Sequence, residues 1–239
     1  MKVIAIPTRL RWALAAMALC IPMAALETII ATRAQWWRLP HGLIFIWSAA
    51  CAVIYALIAF WIGRGYRWAT VAFASAGILW VLVSTSYAIR MQHYGVAFFA
   101  LFLALFWFSG HSWIRHEMQR TFFDPKMNWY HGLPKGIPGL SCRLGDQSYD
   151  LRVSRIDEDG VFLYTPVPEQ IGKLRDSIDK REMMELSLRF RSREVGCRAF
   201  PVARLEGGAG AGFQFSGMSP DSRKDLGDFV EALRGEGHV

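Results

Sequence analysis

The sequence predicts a helical membrane unit of four transmembrane helices, followed by an all-β, six-stranded antiparallel barrel with a C-terminal helix. Two observations predict this fold class. Four apolar runs of about 20 residues occupy the first half, and each is long enough to cross a bilayer. Six short segments of strand-forming residues, separated by turn residues, follow in the second half. The predicted domains are a transmembrane domain (1–114), a juxtamembrane linker (115–139) and the barrel domain with its C-terminal helix (140–239).

The four apolar runs are joined by short segments, which favours antiparallel neighbouring helices. At a rise of about 1.5 Å per residue, each run can span the roughly 30 Å of membrane hydrocarbon. Pro22 is expected to kink the first helix. The runs are Trp12–Ala31, Gly42–Ile62, Trp68–Ile89 and Tyr94–Ile114. We therefore predict a multi-pass protein that has the lipid bilayer as a partner.

Charge is divided unequally between the two halves of the chain. Residues 1–114 contain eight Arg or Lys and one acid, whereas residues 115–239 contain nineteen basic and nineteen acidic side chains. The basic residues that give the net charge of +7 therefore lie beside the apolar runs. This position indicates that they orient the protein in a membrane, rather than bind nucleic acid. With the N-terminus inside, the inner side receives eight basic residues and the outer side three. The inner residues are Lys2, Arg9, Arg11, Arg64, Arg67, Arg115, Arg120 and Lys126, and the outer ones are Arg33, Arg38 and Arg90. This bias predicts an N-in, C-in topology.

An alternative for the first run is a cleaved signal peptide, because Lys2, Arg9 and Arg11 precede it. Three remaining spans would still leave the second half of the chain in the cytoplasm.

Glu27 is the only strongly ionisable side chain within an apolar run. A carboxylate inside a membrane marks either a functional site or an interfacial residue, here one paired with Arg33 or Arg38. The four cysteines show neither metal-ligand nor disulfide spacing, and we interpret them as small buried side chains. They are Cys20, Cys51, Cys142 and Cys197.

Six strands are predicted in the second half from their β-branched and aromatic content and from their alternation of apolar and polar residues. They are Leu140–Leu144, Ser148–Ile156, Val161–Tyr164, Met184–Phe190, Val195–Leu205 and Gly212–Phe215. Asp157–Gly160 is expected to form a turn in which Gly160 is free to take the positive φ that such turns often need, and Arg193-Glu194 a hairpin tip. Short strands joined by tight turns suit a small closed barrel.

Two helical segments accompany the predicted strands. The charged stretch Gln170–Lys180 is interpreted as a solvated surface insertion. Ser219 has the features of an N-cap, with Pro220 at the first helical position and Asp221 in the first turn. The helix that follows runs to about Arg234, and its apolar face is expected to pack on the barrel.

The stretch Leu151–Pro166, LRVSRIDEDGVFLYTP, resembles the core of a PilZ domain, a small β-barrel that many bacteria use as a receptor for cyclic di-GMP. That family carries a D/N-x-S-x-x-G signature, whose three positions are occupied here by Arg155, Asp157 and Gly160. Only the glycine is kept. The resemblance covers about residues 137–234 and implies a PilZ-like barrel on the cytoplasmic side of a bacterial inner membrane.

The resemblance also implies a ligand site. Members of the family carry an R-x-x-x-R motif before the first strand, whose guanidiniums clamp the phosphates and guanines of the nucleotide. The nearest match is Arg115 and Arg120, spaced one residue wider, and the alternative is that both are anchor charges at a helix end. Arg143, Arg152 and Arg155 form either a basic patch for the ligand or surface charges balanced by neighbouring acids.

Two functions follow from this resemblance. The first is a membrane-anchored second-messenger receptor or effector, with cyclic di-GMP as regulatory ligand, acting on an envelope process. The second is a degenerate PilZ-like scaffold that binds no nucleotide and docks onto a membrane protein complex. Either would have a membrane-protein partner or form a homo-oligomer. The sequence shows no nucleophile–base arrangement, P-loop or metal-ligand spacing, so we expect neither an enzyme nor a resident cofactor.

Overall fold

A computed structural model of the chain describes residues 2–32, 41–66, 68–123, 129–130, 133–145, 147–205 and 207–238. The chain divides into two compact units. The membrane unit is Thr8–Met118, and the barrel unit combines Met1–Pro7 with Gln119–Val239. The last membrane helix continues for one turn past residue 114 and ends at Met118. The N-terminal segment groups with the barrel unit instead of the membrane helices.

The membrane unit contains four spans long and apolar enough to cross a membrane, as predicted. Their helices are α1 (Thr8–Met17), α2 (Cys20–Ala31), α3 (His41–Gly63), α4 (Trp68–Met91) and α5 (Tyr94–Met118), with α1 and α2 forming a single span. The break between α1 and α2 has a local cause. Pro22 lacks the N–H that would bond the carbonyl of Ala18, and the helix is interrupted at Ala18 and Leu19.

Close packing in the membrane unit depends on small residues. An added Cβ at Gly77 of α4 would lie 2.6 Å from the Trp107 ring of α5, and one at Gly110 would overlap Met17 of α1. These glycines allow the helix backbones to approach closely, as small residues do in membrane proteins. Large apolar side chains are exposed along α3, α4 and α5. Such a surface suits a lipid environment, and we identify the chain as a membrane protein.

The barrel unit contains the six predicted antiparallel strands. They are β4 (Leu140–Leu144), β5 (Gln147–Ile156), β6 (Gly160–Tyr164), β7 (Met184–Phe190), β8 (Arg193–Arg204) and β9 (Gly210–Phe215), in the order β8-β7-β4-β5-β6-β9. Pairing of β9 with β8 closes the barrel. This confirms the predicted six-stranded barrel. Three short strands were not predicted: β1 (Lys2–Val3) pairs antiparallel with β8, and β2 (Trp129–Tyr130) pairs antiparallel with β3 (Leu133–Pro134).

Two helices complete the barrel unit. Helix α6 (Pro168–Asp179) buries Leu174 and Ile178, so the predicted surface insertion contributes to the core. Helix α7 (Pro220–Gly235) buries its predicted apolar face. Its predicted cap is confirmed, because the Ser219 hydroxyl oxygen accepts a hydrogen bond from the Ser222 amide at 3.1 Å.

One predicted turn is wrong. Phe190 pairs with Arg193, so Arg193 and Glu194 belong to β8, and the turn residues are Arg191 and Ser192. Arg191 has a φ of 53°, in the left-handed region that a tight hairpin requires. The sequence misleads here because neither turn residue is Gly or Asn, the residues that ordinarily mark such a turn.

Candidate functional site

The turn between β5 and β6 is held by one carboxylate. Oδ1 of Asp157 accepts hydrogen bonds from the backbone amides of Asp159 and Gly160, each at 2.8 Å. The Asp157 amide in turn donates to the Gly160 carbonyl at 3.0 Å. An Asp side chain that bonds the backbone two and three residues later mimics part of a backbone turn. The short acidic side chain at position 157 therefore dictates this local structure.

The segment Arg120–Phe123 lies against the same turn. The Arg120 guanidinium donates to the Asp159 carboxylate, and the Thr121 hydroxyl donates to Oδ2 of Asp157. The Arg120 and Asp159 side chains are only 16% and 29% exposed, so their ion pair is partly shielded from water. Both carboxylate oxygens of Asp157 are thus engaged within the protein.

Phe122 packs between two glycines of the barrel. Its side chain is 1% exposed. An added Cβ at Gly160 would lie 2.4 Å from the Phe213 carbonyl oxygen and 2.8 Å from the Phe122 ring. One at Gly212 would lie 1.8 Å from the Phe122 carbonyl oxygen. These positions need glycine because another part of the chain approaches closely.

This packing corrects the predicted role of Gly160. The residue begins β6 and is not among the positive-φ glycines of the chain. The Asp157 carboxylate stabilises the turn without a left-handed residue. Gly160 is needed instead because the absence of a side chain lets Phe122 and β9 approach closely.

The structure brings together three of the predicted site residues: Arg120, Asp157 and Gly160. Arg155 is half-buried, opposite Phe162 and beside an irregularity in the β5–β6 pairing. The other three predicted residues are exposed on separate elements: Arg143 on β4, Arg152 on β5 and Arg115 on α5. Arg115 belongs to the membrane unit and Arg120 to the barrel unit.

A cavity in the barrel unit was not predicted from the sequence. It has a volume of about 530 Å³, and its polar lining includes Glu185, Ser187, Arg198, Ser219 and Ser222. Glu185 and Arg198 are opposite each other on β7 and β8 and form an exposed ion pair at 3.5 Å. Exposed charged residues on two adjacent predicted strands were the sequence feature that could have indicated this cavity. None of the seven predicted site residues lines this cavity.

Glu27 in the membrane unit contacts α4. Its Oε2 accepts a hydrogen bond from the Trp80 indole at 2.5 Å, and its Oε1 accepts one from the Ser84 hydroxyl. The predicted alternative partners, Arg33 and Arg38, lie outside the described residues. The carboxylate is therefore oriented by two donors from one neighbouring helix.

The cysteines of the barrel are buried, as expected. Burial raises the pKa of the Cys142 thiol, and it raises that of Cys197 to about 12. Both thiols are free and remain protonated near neutral pH.

Within the described residues, no group of three His, Cys, Asp or Glu side chains could hold a metal ion. Comparison of the chain with family models, with curated proteins and with solved structures finds no match. The candidate site therefore rests on the geometry of Arg120–Phe123 and the Asp157–Gly160 turn.

Proposed function

We propose that this protein is anchored in the inner membrane of a bacterium, with both termini in the cytoplasm, and that its PilZ-like barrel binds a membrane protein complex without requiring a nucleotide. The eight-to-three bias of basic residues supports this orientation. The balanced charge of residues 115–239 suits a domain exposed to the cytoplasm.

The observation that carries this proposal is the internal bonding of the turn. Arg120, the predicted ligand clamp nearest the turn, is paired with Asp159, and both oxygens of Asp157 accept protein hydrogen bonds. A nucleotide at this turn would have to break these contacts. Its phosphates would also meet the charges of Asp157 and Asp159.

Displacement of the segment would carry a further cost. Exposing the buried Phe122 side chain is unfavourable by about 1.5–3 kcal/mol, from its apolar surface alone. The cost of displacing the segment Arg120–Phe123 therefore opposes the binding of a nucleotide at this turn.

One observation favours a second function, a receptor for cyclic di-GMP. Arg120 lies beside the Asp157–Gly160 turn, which is the arrangement that the PilZ resemblance implies. A phosphate can accept a bidentate hydrogen bond from a guanidinium, so it could replace Asp159 as the partner of Arg120. Binding would then release the segment Arg120–Phe123 as the signal.

Calorimetric titration of cyclic di-GMP into the full-length protein in lipid nanodiscs distinguishes the two functions. If the barrel binds a membrane complex without a nucleotide, we expect no binding heat from the wild type or from Asp159→Asn, which removes the negative charge that faces Arg120. A receptor would bind in the wild type, bind more tightly in Asp159→Asn and lose binding in Arg120→Ala. Asp176→Asn, which neutralises an exposed acid on α6, is the matched control.

The proposal also expects a specific complex after extraction from native membranes in mild detergent. Blue-native electrophoresis and quantitative mass spectrometry should detect the same partner at low and at high cellular nucleotide levels. A protein that migrates alone under these conditions would contradict the proposed binding to a membrane protein complex.

A further inference from the structure

A cavity of about 500 Å³ lies within the membrane unit and is lined by residues from α2, α3, α4 and α5. This volume falls within the range of small-molecule pockets. Several lining side chains are more than half exposed, including Trp47 (52%), Leu79 (64%) and Val83 (55%). The cavity therefore opens onto the apolar surface that faces lipid, which gives a hydrophobic ligand a route of entry from the bilayer.

One acid lines this apolar cavity. Glu27 lies four residues before the end of α2, about 6 Å along the helix axis. Trp80 and Ser84 donate to its two oxygens and hold the carboxylate at the cavity wall. A carboxylate at membrane depth is costly unless a positive charge or hydrogen-bond donors compensate it.

The cavity wall supplies no such positive charge. Among the described residues that line the cavity there is no Lys, Arg or His. Two neutral donors satisfy the geometry of the oxygens, and the described lining residues supply no group of opposite charge. The chemistry that complements this site is therefore cationic.

Aromatic rings make the cavity more selective for a cation. Five of its lining residues are Trp or Tyr: Trp47, Tyr55, Trp80, Tyr87 and Trp107. The face of an aromatic ring attracts a cation, most strongly for Trp, and aromatic walls are a recurring feature of sites for quaternary ammonium groups. The same rings supply apolar contact area for the rest of a hydrophobic ligand.

We propose that this cavity binds a lipophilic organic cation, which enters from the bilayer and places its charge beside Glu27 against the surrounding aromatic rings. A phospholipid acyl chain would fill the volume without compensating the carboxylate. This site is separate from the barrel and does not depend on the function proposed for it.

The test uses the full-length protein in nanodiscs of zwitterionic lipid, with radiolabelled tetraphenylphosphonium as the probe and empty nanodiscs as background. We expect saturable binding of one cation per chain. Glu27→Gln should weaken it at least about tenfold, because a charge-assisted contact contributes about 1.5–3 kcal/mol. The Gln amide still accepts from the indole and donates to the serine hydroxyl, so the variant removes charge while preserving the local bonds.

Two further variants separate a local effect from a folding defect. Ala76→Leu places bulk in the cavity and leaves Glu27 unchanged, and it should also abolish binding. Val71→Leu, on the lipid-facing side of the same helix, is the matched control and should bind as the wild type does. Thermal unfolding of each variant identifies any that fail to fold. If Glu27→Gln fails to fold, the binding measured for Ala76→Leu decides the test.

Three outcomes would overturn the proposal. The first is the absence of saturable binding above empty nanodiscs. The second is equal affinity in the wild type and a folded Glu27→Gln variant. The third is equally effective competition by triphenylphosphine oxide, an uncharged analogue, which would show that the cavity accommodates any apolar molecule, including lipid.

Discussion

Replacing Gly212 by Ala should displace the segment Arg120–Phe123 from the barrel. The new Cβ would lie 1.8 Å from the Phe122 carbonyl oxygen, whereas ordinary contact begins at 3.4 Å, a shortfall of about 1.6 Å. The atoms in the way belong to the backbone, so a rotamer change cannot relieve the overlap. The whole segment has to move.

The expected cost follows from what the segment buries. Removing a buried Phe side chain entirely destabilises a protein by about 3–5 kcal/mol. Phe122 would be displaced rather than deleted and would keep some of its contacts. We therefore expect the free energy of unfolding of the barrel to fall by about 2–3 kcal/mol, somewhat less than for complete removal of the side chain.

Site-specific cysteine alkylation in urea measures this change without interference from the membrane helices. Cys142 and Cys197 are buried in the barrel and react only after it opens, and peptide mass spectrometry distinguishes them from the membrane cysteines. Gly196→Ala is the matched control, because an added Cβ at this strand glycine meets nothing within 4 Å. It should change stability by no more than about 0.5 kcal/mol. Equal urea midpoints for the two variants would refute the docking of Phe122.

Asp157→Ala should destabilise the barrel by about 1–2 kcal/mol, because two backbone amides and the Thr121 hydroxyl lose their acceptor. Hydrogen exchange of the Gly160 amide should accelerate, and an unchanged exchange rate would argue against the turn described. Burial raises the pKa of Cys142, and that of Cys197 from 9.0 to about 12, so the folded barrel favours protonated thiols. Their stabilising contribution is complete below pH 9 and declines as pH rises towards 12. The urea midpoint should therefore fall less over this pH range in the variant with both Cys142 and Cys197 replaced by Ala, and pulse proteolysis measures it in both proteins because that variant has no barrel thiol to alkylate. An equal fall in both proteins would contradict this linkage. Ser219→Ala removes the cap of α7 and should cost about 1 kcal/mol in the same urea assay, whereas an unchanged midpoint would show that the cap is dispensable.

The sequence alone predicts most secondary structure because the signals are local. A transmembrane span requires a minimum length of apolar residues, and the four spans were predicted to within a few residues of their ends. Strand alternation located Met184–Phe190 with its correct bounds. The cap at Ser219 was predictable because it depends on residues within one turn of the helix.

Part of the candidate site was also predictable. The resemblance singled out Arg120, Asp157 and Gly160, and the structure brings these three together. What each residue contacts was not predictable. The partner of Arg120 is Asp159, 39 positions later, and the two donors to Glu27 come from a different helix.

Tertiary structure decided the features that depend on such distant partners. Periodicity shows which face of an element is apolar, but it does not specify what covers that face. The joining of Lys2–Val3 to β8, the burial of Phe122 against Gly212 and the cavity beside Glu27 each depend on segments far apart in the sequence. Gly160 shows the same division: the sequence marked it as a turn glycine, and only the packing of Phe122 and Phe213 reveals that it is needed for close approach.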